Sequence, residues 1–418
     1  MLKRKNILIV GGGISGMTTA VEAAEVGHNV ILVEKLPYLG GRVIRMNQYF
    51  PKLCPPYCGL EINFRRIKQN PRIKIHTSTT IENITGSIGN FSIQLKSQAT
   101  FVNDNCTACG ECEIVCPEQR PNQFNYGLDK TKAIYLPHEL AFPFKYTIDD
   151  AYCTKENCKK CKEVCKYDAI NFSIEAKSFT VNADTIVIAT GWQPYDASKL
   201  ENLNFGQFPN IITNVQMERL AAVNGPGKGK ILRPSDNIMP KTFAFVQCAG
   251  SRDEKHLAYC SAVCCSASLK QALNIREQIP ESKIKIFYID LRVSGRNEDM
   301  LTKVNGDKNI ELIKGKVSRI SEDPLTRELM IEAEDIMSGK KSKEKAELII
   351  LATGMQASAS NLNIVKYNEY GFINEDGQED GIFSASCTKK PMDVSSSIKD
   401  ACGMVLKAIQ IKLLITNY

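Results

Sequence analysis

Eight cysteines between residues 106 and 165 constrain this chain more than any other feature of its sequence. They form two runs, C-x2-C-x2-C-x3-C-P from Cys106 and C-x4-C-x2-C-x3-C from Cys153. Three thiols within seven residues converge on metal, because disulfides at that spacing would be strained and would leave one cysteine unpaired. The first run, with its closing Pro117, is the pattern that folds around a [4Fe–4S] cluster and passes its fourth thiolate to a second cluster.

This sharing of ligands predicts two neighbouring clusters in one ferredoxin-like module. The predicted ligands of the first cluster are Cys106, Cys109, Cys112 and Cys165, and those of the second are Cys153, Cys158, Cys161 and Cys116. A zinc knuckle and a disulfide knot are the alternatives. Zinc sites usually come as pairs of C-x2-C hooks without a third close cysteine or the following proline, so the pattern favours iron–sulfur clusters.

Length and composition bound the class of protein. A chain of 418 residues exceeds the ~250–300 residues of a single core, so two or three domains are expected. Sixteen cysteines and no apolar leader sequence predict a reducing cytoplasm, and no apolar run approaches the ~18–20 residues that span a bilayer. The net charge of +7 is diffuse and accompanies no nucleic-acid motif, which predicts no nucleic-acid partner. It could steer an acidic redox partner or be an ordinary solvated surface.

The first 42 residues read as a dinucleotide site. A buried strand at Asn6–Val10 enters a G-x-G-x-x-G turn and then a helix predicted from Met17 to Val26, so bare glycines can approach a diphosphate at the helix N-terminus. A second strand ends at Glu34, where a carboxylate can bind ribose hydroxyls. The following Gly41-Arg42 element resembles that of two-dinucleotide-binding flavoproteins and points to FAD. The predicted residues are Gly11, Gly13, Ile14, Ser15, Gly16, Glu34, Lys35, Gly41 and Arg42.

Later segments add further candidates for the flavin site. A strand from Thr185 ends at an Ala-Thr-Gly element like those of the same flavoproteins, a second such element ends at Gly354, and Asp380 opens the closing strand. Lys389 either lies near the flavin pyrimidine edge or is a solvated lysine. These residues complete the predicted set: Ala189, Thr190, Gly191, Gly354, Asp380 and Lys389.

A second nucleotide-type unit lacks its phosphate turn. Strands at Thr242–Gln247 and Lys283–Tyr288 flank a helix predicted from Tyr259 to Glu277, but cysteines replace the glycines that would bind NAD(P)H. Two of them, at i and i+4 on the predicted helix, would share one face. These cysteines predict a third [4Fe–4S] cluster, and the alternative is that they are buried structural thiols. Whether the adjacent Cys264 and Cys265 both bind the cluster stays open. The candidate ligands are Cys248, Cys260, Cys264 and Cys265.

Four cysteines have no assigned ligand role. Cys54 and Cys58 form a C-x3-C pair flanked by prolines, and three interpretations stay open: a ligand or docking role, a redox dithiol, or buried thiols. Cys387 and Cys402 carry no specific signal. The amphipathic stretch 395–415 is predicted to be a helix packed on the core, with a partner surface as the alternative.

The predicted fold is α/β, a two-dinucleotide-binding-domain, thioredoxin-reductase-like flavoprotein with an inserted two-cluster ferredoxin module. An FAD-type strand before the cysteines and another after them place the module inside the FAD domain. The predicted boundaries are 1–98, 176–225 and 346–418 for the FAD domain, 99–175 for the insert and 226–345 for the second unit.

Together, the flavin fingerprint, the ferredoxin insert and the cysteine-bearing helix resemble the A subunit of heterodisulfide reductase. Within that family, the segments 50–61 and 387–393 and the short build are most similar to the A subunit of the quinone-interacting membrane-bound oxidoreductase complex of sulfate-metabolising prokaryotes. This resemblance implies electron exchange between the quinone pool, reached through a membrane partner, and adenylylsulfate reductase. It also implies a cytoplasmic location, peripheral on the inner face of the membrane through that partner.

The function predicted from the sequence is electron relay by FAD and [4Fe–4S] clusters, with no catalytic acid or base assigned. Two alternatives remain. A heterodisulfide-reductase-type flavin subunit would divide electron pairs among soluble partners. An NAD(P)H-dependent flavoprotein or a cluster-assembly protein is disfavoured by the missing glycine turn and by the intact flavin fingerprint, respectively.

Overall fold

A computed structural model of the chain describes residues 4–335, 338–358 and 362–410. It contains a parallel sheet of five strands, which lie in the order Ile382–Ser384, Thr185–Ile188, Asn6–Val10, Asn29–Val33 and Ile73–His76. The central strand β1 carries Ile7, Leu8 and Ile9, which have no exposed surface, as expected for a strand covered on both faces. The amino-terminal part comprises β1 (Asn6–Val10), α1 (Ile14–Glu25), β2 (Asn29–Val33), α2 (Tyr57–Gln69), β3 (Ile73–His76), β4 (Thr79–Ser87) and β5 (Asn90–Ser97).

The cysteine-rich segment leaves this first unit and returns to it at one place. β10 (Lys177–Ala183) pairs antiparallel with β5 along its whole length, so Ser97 lies opposite Lys177. The residues between them form a compact body around Phe101, Val102 and Ile134. Its elements are α3 (Glu111–Val115), β6 (Gln119–Pro121), β7 (Lys130–Lys132), β8 (Ile134–Tyr135), β9 (Thr147–Ile148) and α4 (Lys160–Glu163).

Two strands and a helix then lead to the second unit. β11 (Thr185–Ile188) joins the first sheet beside β1, and β12 (Trp192–Pro194) pairs antiparallel with β20 (Met355–Ala357). The two crossings of the chain between the units therefore lie side by side. The first crossing is followed by β13 (Ile211–Thr213) and α5 (Asn214–Ala221), and the second is preceded by β19 (Leu348–Thr353).

The second unit is a seven-stranded sheet in the order β13-β19-β14-β15-β16-β17-β18. Its remaining elements are β14 (Thr242–Ala249), α6 (Cys264–Gln278), β15 (Lys283–Tyr288), α7 (Glu298–Gly306), β16 (Ile310–Glu322), β17 (Leu329–Asp335) and β18 (Lys341–Ala346). The sheet extends beyond the predicted range 226–345 at both ends, because β13 and β19 hydrogen-bond to each other and β19 to β14. Local sequence patterns do not reveal such long-range pairing.

The carboxy-terminal part returns to the first sheet through β21 (Ile382–Ser384) and ends in α8 (Val394–Gln410). Met404, Val405 and Ala408 of α8 pack into the core that contains α1, so the prediction of a core helix is confirmed as far as residue 410. Its predicted extension to residue 415 lies outside the described residues. No helix within the described part of the chain is long and apolar enough to cross a membrane.

Candidate functional sites

The glycine turn packs so tightly that side chains are excluded from it. Gly11 has φ +108°, and a Cβ there would lie 2.4 Å from the carbonyl oxygen of Ala189. A Cβ on Gly16 would lie 1.8 Å from the carbonyl oxygen of Gly11. The turn therefore lies against the end of β11, and the predicted group Ala189, Thr190 and Gly191 meets it at the carboxyl edge of the sheet.

Glu34 lies under this turn. Its carboxylate accepts hydrogen bonds from the backbone N–H groups of Gly12 at 2.6 Å and Leu36 at 2.8 Å. Burial raises the pKa of Glu34, and the two backbone donors oppose that rise. Each carboxylate oxygen has a second lone pair, so the group keeps capacity for a ligand hydroxyl. The neighbouring Lys35 is exposed.

The second glycine element completes this edge. Gly41 has φ +58°, and a Cβ there would lie 2.8 Å from the Cα of Gly13. The Arg42 guanidinium lies over the Trp192 ring, 5.1 Å from its centroid, and donates to the carbonyl oxygen of Trp192 at 2.5 Å and to the Tyr126 hydroxyl at 3.3 Å. No carboxylate among the described residues forms an ion pair with Arg42.

These residues fit the diphosphate of a dinucleotide. Gly13 precedes the first residue of α1 and has no side chain. The N–H groups of the first helical turn therefore receive no side-chain cap at this position. The glycines leave the backbone bare, and Arg42 supplies a largely buried positive charge beside them. Bare N–H groups at a helix N-terminus and an uncompensated guanidinium are the partners that a diphosphate requires.

Asp380 does not join this edge. It is exposed and precedes β21, which runs parallel to β11 with Ile382 opposite Ile186. The amino ends of parallel strands lie at the edge opposite to the glycine turn, so the assignment of Asp380 to the flavin site is wrong in this structure. The position at the turn-side end of β21 is taken by buried Ala385 and Ser386, and Ser386 has φ +62°.

Gly354 and Lys389, which were also predicted for the flavin site, have other neighbours in the structure. A Cβ on Gly354 would lie 2.2 Å from the Ser251 Oγ, at the end of the second sheet and not beside the glycine turn. Lys389 is buried and donates to Asp400 of α8 at 2.6 Å and to Glu375 at 2.5 Å. The interpretation of a solvated lysine is therefore wrong, and the amine is already engaged by two carboxylates.

The eight cysteines of the insert line two separate cavities. One partly open cavity, with an empty volume of about 350 Å³, is lined by Cys106, Cys109, Cys112 and Cys165, together with Tyr146 and Ile170. The other, of about 320 Å³, is lined by Cys116, Cys153, Cys158 and Cys161, together with Phe172. This division corresponds to the sharing of ligands expected from the sequence.

The donor set of each cavity is four cysteines, which is the set that a [4Fe–4S] cluster uses. Within the described ranges, no three His, Cys, Asp or Glu side chains come close enough together to hold a metal ion. Burial and neighbouring thiols raise the pKa of Cys112 to about 12 and that of Cys161 to about 11.

The cysteines of the second unit meet at the end of its sheet. Cys264 and Cys265 begin α6 and are buried, and their Sγ atoms lie 3.6 Å from the Thr353 carbonyl oxygen and 3.7 Å from that of Asp290. Cys248 is the penultimate residue of β14 and has φ +56°. Burial raises the pKa of all three thiols, and neighbouring cysteines, Cys260 included, add to the rise.

Cys260 does not lie on the helix. Helix α6 begins at Cys264, and Cys260 lies in the preceding loop, where its sulfur accepts a hydrogen bond from the N–H of Ala262 at 3.4 Å. The prediction that Cys260 and Cys264 share one helical face is therefore wrong. The loop, with Ala262 at φ +60°, nevertheless keeps Cys260 near its three partners.

Known proteins are similar in sequence to this chain. The family model described as FAD dependent oxidoreductase matches residues 6–54. The second iron-sulfur A subunit of CoB–CoM heterodisulfide reductase from Methanopyrus kandleri is 36% identical over 96% of this chain and 63% of its own length. Over 96% of its length the chain is therefore similar to A subunits of heterodisulfide reductase, and residues 6–54 match the FAD-dependent oxidoreductase model. The A subunit of the H2:CoB-CoM heterodisulfide, ferredoxin reductase of Methanothermobacter thermautotrophicus is 31% identical, again over 96% of this chain and 63% of that relative.

The chain spans less than two thirds of the length of these two curated proteins. Among solved structures, thioredoxin reductase from T. acidophilum aligns with 98% of this chain and 100% of its own, with a TM-score of 0.55 and 13% identity. The predicted thioredoxin-reductase-like fold is confirmed. The resemblance to the quinone-linked branch of the family receives no support from these relatives.

One buried ion pair was not predicted from the sequence. Lys270 of α6 has no exposed side-chain surface and forms an ion pair of 2.6 Å with Glu218 of α5. Lys270 also donates to the carbonyl oxygen of Gln48, and Glu218 accepts from the N–H of Asn47 at 3.0 Å. The pair therefore ties the second unit to the loop after Arg42. Lysine and glutamate are common in helices, so the sequence carries no signal for it.

A polar cluster between the insert and the other units was also missed. The Arg219 side chain is buried, lies over the Phe124 ring at 4.6 Å, and donates to Asn125 at 2.8 Å. His138 stacks on Phe124 and contacts the edge of Tyr38, with each pair of ring centroids 5.1 Å apart. Burial, followed by the charges of Arg219 and Arg45, lowers the pKa of His138 to about 3.

The four remaining cysteines differ in their exposure. Cys54 and Cys58 are exposed, so the interpretation of buried thiols is wrong for them. Cys387 is buried, and its Sγ lies 3.5 Å from the carbonyl oxygen of Met392. Cys402 is partly exposed on α8.

Proposed function

We propose that this chain is an electron-transfer component of a multi-subunit oxidoreductase, with FAD at the glycine turn and three [4Fe–4S] clusters. The observation that carries the proposal is the division of eight insert cysteines between two adjacent cavities in the pattern of a two-cluster ferredoxin. The proposed cluster ligands are those named from the sequence, including Cys248, Cys260, Cys264 and Cys265 for the third. Exposed apolar and aromatic side chains next to the insert cysteines, such as Ile114 and Tyr167, are consistent with docking of partners.

Each element of the chain has a defined part in this proposal. FAD, when bound, supplies the exchange between two-electron and one-electron transfer. Gly11 and Gly16 keep the backbone bare for the diphosphate, and Arg42 balances its charge. The apolar side chains of Phe101, Val102 and Ile134 pack in one core with Cys112, Cys116 and Cys161, and such an apolar shell tunes the reduction potential of a cluster.

The heterodisulfide-reductase-type interpretation is the first choice among possible partners. Its support is that the curated relatives reported above are named as heterodisulfide reductase subunits, and the name of the Methanothermobacter protein joins a heterodisulfide and a ferredoxin. By this proposal the chain works with soluble subunits and divides electron pairs between two acceptors. The quinone-linked role beside adenylylsulfate reductase is the second candidate, favoured only by the resemblance of segments 50–61 and 387–393.

A ligand series tests the proposed clusters. Iron, acid-labile sulfide and FAD are measured in the anaerobically purified chain, together with EPR spectra during stepwise reduction. About twelve irons and one FAD are expected, and Cys109→Ser, Cys158→Ser and Cys264→Ser should each remove about four irons and a different EPR signal. Cys402→Ser is the control and should retain all of them. Unchanged iron in the first two variants would refute the insert clusters.

A second measurement separates the two candidate roles. The complex is isolated from its native source by a tag on this chain, and its subunits are identified by mass spectrometry. Soluble redox subunits, found with two acceptors reduced in parallel, would support the first role. A haem-bearing membrane subunit, found with quinol oxidation, would reverse the preference.

A further inference from the structure

Two exposed thiols lie outside every proposed cluster. Cys54 and Cys58 are both exposed, and the twelve proposed cluster ligands all belong to other parts of the chain. In the part of the chain that the structure describes, no further metal-ligating group joins them. Two thiols cannot complete a four-ligand site by themselves.

Tyr49 holds the segment between these thiols in a closed loop. Its N–H donates to the carbonyl oxygen of Cys54 at 2.8 Å, and its hydroxyl donates to that of Pro56 at 3.4 Å. Tyr49 thus bridges from one cysteine to the start of α2, where Cys58 is the second residue. Burial, followed by the electrostatic influence of Cys58 and Cys54, raises the pKa of Tyr49.

The loop is anchored on both sides. Leu53, at φ +54°, and Phe50 pack against the apolar core of the second unit, whereas Leu60 of α2 is buried in the core of the first. Prolines at 55 and 56 restrict the backbone between the two cysteines. Fixed ends and a stiff connection lower the entropic cost of bringing the sulfurs together, which favours an internal disulfide over separate reactions of each thiol.

We propose that Cys54 and Cys58 form a redox-active dithiol that reduces small or protein disulfides by exchange. One thiolate attacks the substrate disulfide, and a mixed disulfide forms as one substrate thiol leaves. The second cysteine attacks the mixed disulfide, and the Cys54–Cys58 bond forms as the other substrate thiol leaves. The substrate disulfide gains two electrons and two protons, and the pair loses them. This activity goes beyond the proposed cluster relay and does not depend on it.

Glutathione disulfide is a suitable probe. The full chain is equilibrated anaerobically with mixtures of reduced and oxidised glutathione, free thiols are alkylated, and the peptide carrying both cysteines is analysed by mass spectrometry. The peptide is expected to change as a unit from two alkylated thiols to one internal disulfide. Cys54→Ser and Cys58→Ser should each trap glutathione on the remaining cysteine. Both variants should keep the iron and FAD content of the unaltered chain, which separates this result from failure of the clusters.

Tyr49→Phe and Cys402→Ser refine the test. Loss of the Tyr49 hydroxyl should shift the pair toward glutathione mixed disulfides, because the loop loses one of its two closing hydrogen bonds. Cys402→Ser should leave the transition of the peptide unchanged. Glutathione on both cysteines of the unaltered chain without an internal disulfide, or two free thiols in fully oxidised glutathione, would overturn the proposal.

Discussion

Lys270 and Glu218 form a fully enclosed ion pair of 2.6 Å that joins helix α6 to helix α5. Glu218 also accepts from the side chain of Gln271 at 2.5 Å, and Lys270 donates to the carbonyl oxygen of Gln48 at 2.8 Å. Removing one partner of a buried pair leaves the other charge without compensation. The pair is therefore a point at which the interface between the two units can be broken selectively.

Replacement of Glu218 by Gln is expected to lower the free energy of unfolding by about 3–5 kcal/mol, because the Lys270 amine then stays buried without a carboxylate. Urea denaturation followed by circular dichroism measures this change. The double variant Glu218→Leu/Lys270→Met should recover part of the loss, since both charges are gone. Glu328→Gln, which breaks the exposed pair with Lys345, should have almost no effect. Equal effects of the two glutamine variants would contradict this account.

Because of the buried His138, we expect the free energy of unfolding to depend on pH. Its pKa is about 3 in the folded chain and about 6.5 in an unfolded chain, so the unfolded state binds more protons between these values. Stability should therefore fall as pH falls through this window, by about 2 kcal/mol at pH 5 from this group alone. The groups that face the ring are Tyr38, Phe124, Arg45 and Arg219.

His138→Phe keeps an aromatic ring in this place and removes both titrating nitrogens. The urea midpoint of the variant should depend less on pH between 6.5 and 5 than that of the unaltered chain. At pH 8 the variant should be at least as stable, because neither ring nitrogen of His138 has a hydrogen-bond partner among the described residues. An unchanged pH dependence would show that His138 titrates in the folded chain.

Gly16→Ala is expected to abolish FAD retention while leaving the insert intact. The added Cβ would lie 1.8 Å from the Gly11 carbonyl oxygen, so the turn must move away from its bound position. Each 1.4 kcal/mol of distortion lowers FAD affinity about tenfold. FAD content by absorbance and iron content by colorimetry are measured together. Gly403→Ala on α8, where a Cβ meets no atom within 4 Å, is the matched control and should bind FAD normally.

Arg219→Lys is expected to loosen the insert. Arg219 donates to Asn125 at 2.8 Å, to the Arg45 carbonyl oxygen at 3.2 Å and to Asn224 at 2.9 Å. An ammonium cannot reach all three, and each lost bond to the charge costs about 1.5–3 kcal/mol. Limited proteolysis should cut the insert faster in the variant. Arg233→Lys, at a partly exposed pair with Asp236, is the control, and equally fast cleavage there would argue against a specific role of Arg219.

Much of the fold follows from short-range patterns. The strand Asn6–Val10 begins and ends as predicted, because a parallel strand covered on both faces needs a continuous apolar run. The strand Lys283–Tyr288 also begins and ends as predicted, from an alternating pattern. The glycine turn could also be predicted from the sequence, because the need for residues without side chains arises among residues that are close together in the chain. The start of α6 was predicted too early because a helical pattern from Tyr259 does not reveal the loop around Cys260.

Errors arose where the answer depends on residues distant in the sequence. The sequence around Asp380 matches a motif that is typical of a flavin site. The register of β21 against β11 nevertheless places Asp380 at the edge of the sheet opposite to the glycine turn. For Lys389 the sequence left two alternatives open, a position near the flavin and a solvated lysine, and only the packing of α8 supplies Asp400 as its partner. The extent of the second sheet depends likewise on the pairing of β13 with β19.

By itself, the sequence determined the local chemistry of this protein: the cysteine spacings, the bare glycine turn and the acidic end of the second strand. These features depend on covalent connectivity, which holds their atoms together before any tertiary contact forms. Only the tertiary structure decided that Lys270 meets Glu218, that Asp380 lies at the edge of the sheet opposite to the glycine turn, and that Cys54 and Cys58 remain exposed. Such relationships arise when separate elements pack against one another. The burial and pairing of a side chain depend on its neighbours in the fold, and these neighbours are distant from it in the sequence.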